Sequence, residues 1–516
     1  MFPDDGCRER ATVLLAECPG YGPGMRLRPA VLTSTVVLAL ALVGCGGGDD
    51  GGSTDTTPRG DQAGLSSPIA AIQDDRVLHD PPAGQDRAAF LDERMAYMAS
   101  FGGSVTRVDL LWSLVAPSRP ENPDDPNDPA YDWSRYDAIV DAANRHDIDV
   151  EFTVWSTPDW AADPTIPATL AGDPPGGAWG NRRPASAEDF GRFGAAAAKR
   201  YSDKGVHMWE AWNESNANFY LRPQYEKQDD RWVAIGPRTY AAMLDEFRDR
   251  VKDVDPDARI AGGVMAPRGD RCGLSCDGSE KEPNRLSPQA FLKGLDEAGR
   301  PEMDAVAHHP YPSGKPTPKG SETTIDLTNF SDLFTAIDAT YLRGKPVWAT
   351  EYGWQTKPSD VLAFSVTPRE QAENIAAAFI TLRSDPRVEM GTYYFVQDNG
   401  QFNTGLRDEA GATKPGASAH ALPMQAAPTT VAPRGAVTVI GQARPATKET
   451  EVTLEWRAVD GDRWRTLQTV PTGADGTFQV VLHPTESVVI RPRWRGPARD
   501  GQTVQWTGVE VPLTVG

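Results

Sequence analysis

Two glutamates stand in polar and aromatic segments and are the first candidates for chemistry. Glu214 ends the sequence Trp-Asn-Glu, and Glu351 lies in the sequence Thr-Glu-Tyr-Gly. Each follows a short, mainly apolar run of the kind that forms a buried strand. Cleavage of a glycosidic bond by double displacement requires one protonated and one ionised carboxyl group. A lone glutamate at a strand end is usually a solvated loop residue or a helix cap, but Glu214 and Glu351 together could supply acid and nucleophile chemistry.

Residues 68–425 contain the elements that must position these glutamates. Short β-rich runs alternate with helical patterns, which is typical of βα units and a parallel sheet. Eight units predict an α/β fold, a (β/α)8 barrel, in which chemistry lies at the carboxyl ends of the strands. Glu214 and Glu351 follow the fourth and seventh strands. The predicted strands are 68–72, 104–111, 150–155, 206–212, 260–265, 305–308, 346–350 and 390–395.

The segments around the two glutamates resemble those of clan A glycoside hydrolases, nearest to families 5 and 39. The resemblance covers the whole barrel and rests on Trp-Asn-Glu after strand four and Thr-Glu-Tyr-Gly at strand seven. It implies a retaining hydrolase in which Glu214 is the acid/base and Glu351 the nucleophile. It also implies that Asn213 binds the 2-hydroxyl of the reacting sugar, and such a hydrogen bond can strengthen in the transition state. No metal or cofactor is expected.

Other positions match the same pattern. By the resemblance, Arg107 on the second strand hydrogen-bonds the nucleophile, and a nearby cation favours an ionised carboxylate. His309 and Tyr311 form a His-x-Tyr after the sixth strand and resemble the residues that contact nucleophile and substrate. Trp155 and Trp160 resemble the third-strand segment that lines the site in family 39. An aromatic face suits the apolar face of a sugar ring.

The eighth strand departs from the clan's pattern. It has no tryptophan where many members stack the sugar, and we expect Tyr394 or Phe395 to take that place. This departure leaves the identity of the substrate open but not the reaction class. Glu210 should point into the barrel one pleat deeper than Glu214, as a structural carboxylate. Asp109 is also interpreted as structural.

The N-terminal residues 1–45 resemble a bacterial lipoprotein signal. Basic residues follow Met25, an apolar run covers 30–43, and a Leu-x-Gly-Cys box ends at Cys45. The resemblance implies that translation starts at Met25 and that Cys45 is lipidated and anchors the exported chain to the outer face of the cell membrane. The alternative is a plain transmembrane anchor or an uncleaved signal. Residues 46–67, rich in Gly, Asp, Ser and Thr, predict a flexible tether.

Residues 430–516 show a different pattern from the barrel. Apolar residues alternate with polar ones between Asp-Gly turns, which predicts a C-terminal antiparallel β-sandwich of immunoglobulin or fibronectin size. Its tryptophans are candidates for sugar binding, although packing is the commoner role. In the barrel, Cys272 and Cys276 match no zinc spacing, and outside the cytoplasm a disulfide is favoured over free thiols.

The net charge and the site residues limit the possible functions. A formal charge of −20 argues against nucleic acid as a partner, because phosphate binding needs clustered Lys and Arg. The first hypothesis is a retaining hydrolase or transglycosylase acting on a β-linked oligo- or polysaccharide. The alternative is a cell-surface carbohydrate-binding or scaffold lipoprotein on the same barrel without turnover, which the presence of Glu214, Glu351, Asn213 and Arg107 argues against. A solute-binding lipoprotein would have two lobes, and the eight-unit count opposes it.

Overall fold

A computed structural model describes residues 67–168, 180–279, 281–359, 364–446, 448–497 and 503–516. The predicted signal, Cys45 and residues 46–66 of the predicted tether lie outside the described residues. Eight parallel strands close into a barrel in sequence order, so the predicted (β/α)8 barrel is confirmed. The strands are β1 (Ile69–Gln73), β2 (Val105–Leu111), β3 (Asp149–Trp155), β4 (Met208–Ala211), β5 (Arg259–Met265), β6 (Ala305–His308), β7 (Val347–Tyr352) and β8 (Val388–Tyr394).

Each predicted strand overlaps an observed one, and the ends differ in two informative places. The fourth strand was predicted to reach Trp212, but β4 ends at Ala211 because the backbone turns into a left-handed conformation at Trp212. The seventh strand was predicted to end at Thr350, but β7 continues to Tyr352. Glu351 therefore lies inside a strand, whereas Glu214 lies in the turn that follows one.

A helix follows each barrel strand and packs on the outside of the barrel. Thr367 and Glu370 form a reciprocal capping box at the start of the seventh helix, as the sequence indicated. The helices are α1 (Arg87–Ser100), α2 (Ser134–Arg145), α3 (Ala187–Tyr201), α4 (Gly236–Val254), α5 (Pro288–Glu297), α6 (Ser331–Asp338), α7 (Pro368–Arg383) and α8 (Pro415–Ala421). Short helical turns cover Asp75–Leu78, Trp112–Val115, Ser202–Lys204 and Leu327–Asn329.

The inside of the barrel has an apolar layer and an ionic layer. Near the amino ends of the strands, small and apolar side chains fill the interior; they include Val105, Ala261, Ala305 and Trp348. Toward the carboxyl ends, the interior contains buried polar and charged side chains, with Arg107 at the centre. Buried charges need partners, so this layer is a network of ion pairs and hydrogen bonds. The apolar layer closes one end of the barrel, and the ionic layer supports the site at the other end.

The loops that follow β4 and β5 form a small sheet. Its strands are Tyr225–Gln228, Arg231–Ala234 and Ser275–Asp277, all antiparallel. A disulfide joins Cys272 to Cys276, and Cys276 pairs with Trp232 in the sheet. The covalent link thus closes the turn that leads into the third strand of this sheet.

The C-terminal region forms two sheets that are mostly antiparallel. They begin at Met424, before the predicted boundary at residue 430, and their arrangement as a sandwich stays a prediction. Trp494 and Trp506 are 3% and 6% exposed, so both pack internally and neither presents a face to sugar. Among the described helices, none has the length and apolar character to cross a membrane. One sheet contains Met424–Ala427, Val437–Gln442 and Thr477–Leu482; the other contains Thr430–Val431, Glu451–Ala458, Arg465–Pro471, Val488–Pro497, Thr503–Thr507 and Val511–Val515.

Candidate active site

Glu214 lies in a sharply turned segment directly after β4. Trp212, with φ 75°, and Glu214, with φ 38°, adopt left-handed backbone conformations. Such conformations cost about 1–3 kcal/mol each in residues other than glycine, so neighbouring contacts must hold them. The Trp212 amide donates to Val154 O and its indole N–H to Tyr220 O, each at 2.9 Å. The turn holds Glu214 at the carboxyl end of the barrel, with its side chain 16% exposed.

Glu351 lies at an irregularity between β7 and β8. Ala349 pairs with Gly391 and Tyr352 with Tyr393, so β7 has one more residue than β8 across this stretch. A bulge of this kind bends a strand and redirects a side chain, and such bulges are frequent near active sites. The Glu351 side chain is 12% exposed. The bulge thus positions this carboxylate at the mouth instead of within the wall of the barrel.

Arg107 is the buried cation at the centre of the site. Its guanidinium donates to Glu351 Oε1 at 2.6 Å, Asn213 Oδ1 at 2.9 Å, Glu210 Oε2 at 2.8 Å and Gln73 Oε1 at 2.7 Å. Burial lowers the pKa of Arg107, but the surrounding carboxylates, Glu210 and Glu351 first, raise it well above its ordinary value. A permanent charge of this kind favours the ionised form of the carboxylates that it contacts. Arg107 therefore links the nucleophile candidate to Asn213.

His309 lies between the two candidate catalytic glutamates. Its Nδ1 is 3.2 Å from Glu214 Oε1 and 3.7 Å from Glu351 Oε1, and its Nε2 is 3.5 Å from the Arg107 guanidinium. A guanidinium only donates, so Nε2 accepts and the proton of the neutral ring lies on Nδ1, facing the carboxylates. Burial lowers the pKa of His309, but the charge of Glu351 and the hydrogen bond to Glu214 raise it by more. His309 is thus a donor toward Glu214.

Tyr311 provides the second donor to Glu351. Its hydroxyl donates to Glu351 Oε2 at 3.0 Å, while Arg107 occupies Oε1. Burial, together with the charge of Glu351, raises the pKa of Tyr311 well above its ordinary value, so the phenol keeps its proton. Each oxygen of Glu351 therefore receives a hydrogen bond from a fixed donor, which orients the carboxylate.

Two further carboxyl groups, Asp75 and Asp109, adjoin Glu351. Asp75 follows β1 and accepts from Gln73 Nε2 and from the Tyr394 hydroxyl, each at 2.8 Å. Burial, followed by the charge of Asp109, raises the pKa of Asp75 to about 8. Burial raises the pKa of Asp109 to about 6 against the opposing effect of Arg107, and Glu351 adds to the increase. Sequence reasoning missed Asp75, although an acidic residue directly after the first strand fits the rule that barrel chemistry lies at strand ends.

The predicted aromatic residues separate into two places. Trp155 packs edge-on against Tyr220 with ring centroids 5.2 Å apart, and the charge of Glu214 contributes, after burial, to raising the pKa of Tyr220. These two rings therefore lie near the carboxyl groups of the site. Trp160 packs edge-on against Trp112 at 5.5 Å, and its indole N–H donates to Ala116 O. These contacts place Trp160 on the flank of the barrel.

The structure brings six of the predicted side chains into one contact network. Tyr394 joins it indirectly, through Asp75 and through an edge-on contact with Tyr311, with ring centroids 6.1 Å apart. Glu210 lies below, fully buried between Arg107 and Thr153, in the structural place that the sequence predicted. Within the described ranges no group of three His, Cys, Asp or Glu side chains could hold a metal ion. The six are Glu214, Glu351, Asn213, Arg107, His309 and Tyr311.

Comparison with known proteins gives distant structural likenesses only. No family model matches the chain, and no curated protein matches it. The chain is similar to a GH39 enzyme from Xanthomonas axonopodis pv. citri (15% identity, TM-score 0.45, covering 84% of this chain and 98% of that one). It is also similar to a glucosidase from Croceicoccus marinus (12% identity, TM-score 0.49, covering 82% of this chain and 94% of that one). A third similar structure is the catalytic domain of GH30 xylanase C from Talaromyces cellulolyticus (13% identity, TM-score 0.46, covering 83% of this chain and 97% of that one). At these identities and scores the likenesses carry no argument about chemistry, which must come from the residues of the site.

Proposed function

We propose that the protein is a retaining glycoside hydrolase that cleaves β-linked oligo- or polysaccharides by double displacement. The observation that carries the proposal is the placement of His309, whose Nδ1 lies 3.2 Å from Glu214 and 3.7 Å from Glu351. Those two carboxylate oxygens must therefore lie less than about 7 Å apart, which favours the spacing of roughly 5–5.5 Å used for retention over the wider spacing of inverting enzymes.

The environments of the two carboxyl groups support different roles. Glu351 receives donors on both oxygens from Arg107 and Tyr311, which suits an ionised nucleophile. Within the described part of the chain, Glu214 has one side-chain donor, His309 Nδ1. It is therefore the better candidate to protonate the leaving oxygen and then to activate water in the second step.

Asn213 is the proposed ligand of the 2-hydroxyl group of the reacting sugar. Because Arg107 only donates, the amide oxygen of Asn213 must face the guanidinium, and the amide nitrogen is directed elsewhere. That nitrogen is a donor beside Glu214, the acid/base candidate. A hydrogen bond from it to the sugar would strengthen as positive charge develops at the reacting carbon.

Kinetics of Glu351→Gln and Glu214→Ala test the proposal. Glu351→Gln should reduce kcat on aryl β-glycosides by roughly 10⁴-fold or more, because the amide cannot form the glycosyl ester. Glu214→Ala should lose about 10²–10⁴-fold on poor leaving groups, which need protonation, but much less on dinitrophenyl glycosides, which do not. The exposed Glu297→Gln on α5, whose side chain is 61% exposed, is the matched control.

The stereochemistry of the first product separates the mechanisms. NMR during turnover should show the β-anomer first. Formation of the α-anomer, or near-wild-type turnover by Glu351→Gln, would overturn the assignment. If the wild-type protein binds sugars but cleaves no aryl or polymeric β-glycoside, the binding or scaffold alternative is correct.

We also propose that the chain is exported and anchored to the outer face of the cell membrane through lipidated Cys45. The Leu-x-Gly-Cys box after a short apolar run supports this proposal. Cys45→Ser should move the protein from the membrane fraction to the soluble fraction and abolish incorporation of labelled fatty acid. Unchanged membrane association together with unchanged labelling would contradict it.

A further inference from the structure

The carboxyl pair Asp75 and Asp109 lies beside the nucleophile candidate but has no part in the proposed chemistry. Asp109 Oδ1 is 3.6 Å from the Arg107 guanidinium, and its side chain is 14% exposed. Gln73 connects the pair to the network, because its amide accepts from Arg107 and donates to Asp75. The Arg107 nitrogen that lies 3.6 Å from Asp109 Oδ1 is also 2.6 Å from Glu351 Oε1, so Asp109 is close to the nucleophile candidate. The pair therefore adjoins the place where a sugar attached to Glu351 must lie.

Hydrogen-bonding capacity remains unused at this place. Asp109 Oδ1 is buried, and among the described residues no donor makes a hydrogen bond of good geometry to it. The indole N–H of Trp155, on a residue only 5% exposed, approaches Asp109 but finds no acceptor of good geometry in the described part of the chain. Buried polar atoms are normally paired, so a donor and an acceptor left together at a mouth indicate a ligand that completes both.

We propose that Asp75 and Asp109 belong to the subsite for the sugar that becomes attached to Glu351, and that they bind its uncharged hydroxyl groups and exclude uronic acids. This inference rests on the proposed glycosidase function. A sugar hydroxyl can donate to a carboxylate and accept from an indole or a protonated carboxyl, so it satisfies both kinds of unused group. The carboxylate of a uronic acid can only accept.

The charges around the pair support the exclusion of anionic sugars. A uronate would meet the negative charges of Asp109 and Glu351. The cation that contacts Asp109, Arg107, already donates to Glu351, Glu210 and Asn213. Two like charges about 5 Å apart at a partly buried site repel enough to reduce binding by roughly 100-fold.

The test compares matched neutral and anionic substrates. Wild-type kcat/KM is measured on 4-nitrophenyl β-glycosides of glucose, galactose, xylose and mannose and on those of glucuronic and galacturonic acid. We expect each uronide to be cleaved roughly 100-fold less efficiently than the corresponding glucoside or galactoside. In Asp109→Asn, KM for the neutral glycosides should rise about tenfold with a smaller change in kcat. The ratio of kcat/KM for a neutral glycoside to kcat/KM for the matched uronide should fall about tenfold. Asp253→Asn, exposed on α4, removes the same charge elsewhere and should leave both values unchanged.

The outcomes separate this inference from the proposed function. Uronides cleaved as well as the neutral glycosides, or an unchanged neutral-to-uronide ratio in Asp109→Asn, would overturn the subsite. If the wild-type protein cleaves none of the substrates, the proposed function fails, and calorimetric binding of methyl β-glycosides and methyl β-uronides decides the subsite separately. Preferred binding of neutral sugars that is lost in Asp109→Asn would support it, and equal binding of both classes would refute it.

Discussion

Replacing Arg107 with Met should destabilise the fold in a way that depends on pH. Arg107 is 1% exposed and donates to Glu351, Glu210, Gln73 and Asn213. Removing one partner of a buried ion pair costs about 3–5 kcal/mol, because the remaining charges stay buried without compensation. The melting temperature should therefore fall by roughly 3–6 °C near neutral pH. Methionine keeps much of the volume, so the loss reports charge and hydrogen bonding more than packing.

The pH dependence follows from the carboxyl groups that lose their partner. At acid pH these groups can take up protons, and a neutral carboxyl no longer needs a cation. The difference in unfolding free energy between wild type and Arg107→Met should thus shrink from pH 8 to pH 5. Differential scanning calorimetry at both pH values measures this difference. The kinetics of 4-nitrophenyl glycoside cleavage show in parallel whether Glu351 still functions in the variant.

A surface pair provides the control for this experiment. Arg145 lies 3.0 Å from Asp92, but the two side chains are 48% and 42% exposed, so Arg145→Met should cost no more than about 1 kcal/mol. The reasoning is refuted if Arg107→Met loses no more stability than Arg145→Met, or if its loss is the same at pH 5 and pH 8. Either result would mean that the buried network does not depend on this cation.

Two other predictions concern single hydrogen bonds of the site. Tyr311→Phe removes the hydrogen-bond donor to Glu351 Oε2. In the proposed mechanism Glu351 then becomes a poorer leaving group from its glycosyl ester, so kcat should fall about 10–100-fold and KM should fall with it. Mass spectrometry should detect the glycosyl-protein that accumulates. A lower kcat with unchanged KM and no covalent species would contradict this. Asp75→Asn tests the effect of Asp75 on stability. Between pH 3.8, its ordinary pKa, and about pH 8, the folded protein keeps Asp75 protonated, whereas the unfolded chain ionises it. In this pH range the folded state therefore binds one proton more than the unfolded state. The unfolding free energy of the wild type falls as the pH rises, by at most roughly 3 kcal/mol between pH 5 and 7.5, and in Asp75→Asn this dependence on pH is lost. Parallel curves of melting temperature against pH for the two proteins would show that Asp75 is ionised when folded.

The sequence alone predicted the eight strands and the helices because buried segments have a recognisable local pattern of apolar residues. A strand covered on both faces reads as a short apolar run, and Thr367 with Glu370 marks a helix start through contacts three residues apart. The fourth and seventh strands could therefore be counted, and the strand-end rule selected Glu214 and Glu351. The roles assigned to Asn213, Arg107, His309 and Tyr311 came from a family resemblance, and their place in catalysis stays a prediction.

Tertiary structure alone decided how these side chains meet. Arg107 and Glu351 are 244 residues apart in sequence and 2.6 Å apart in space, a contact that no local pattern records. The bulge in β7 that directs Glu351 into the mouth is invisible to a period-two pattern, because it depends on pairing with β8. Asp75 looks like an ordinary polar residue of a loop after β1. Its proximity to Asp109 and Glu351, and the raised pKa that results from burial and repulsion, exist only once the barrel closes β1 against β2 and β8.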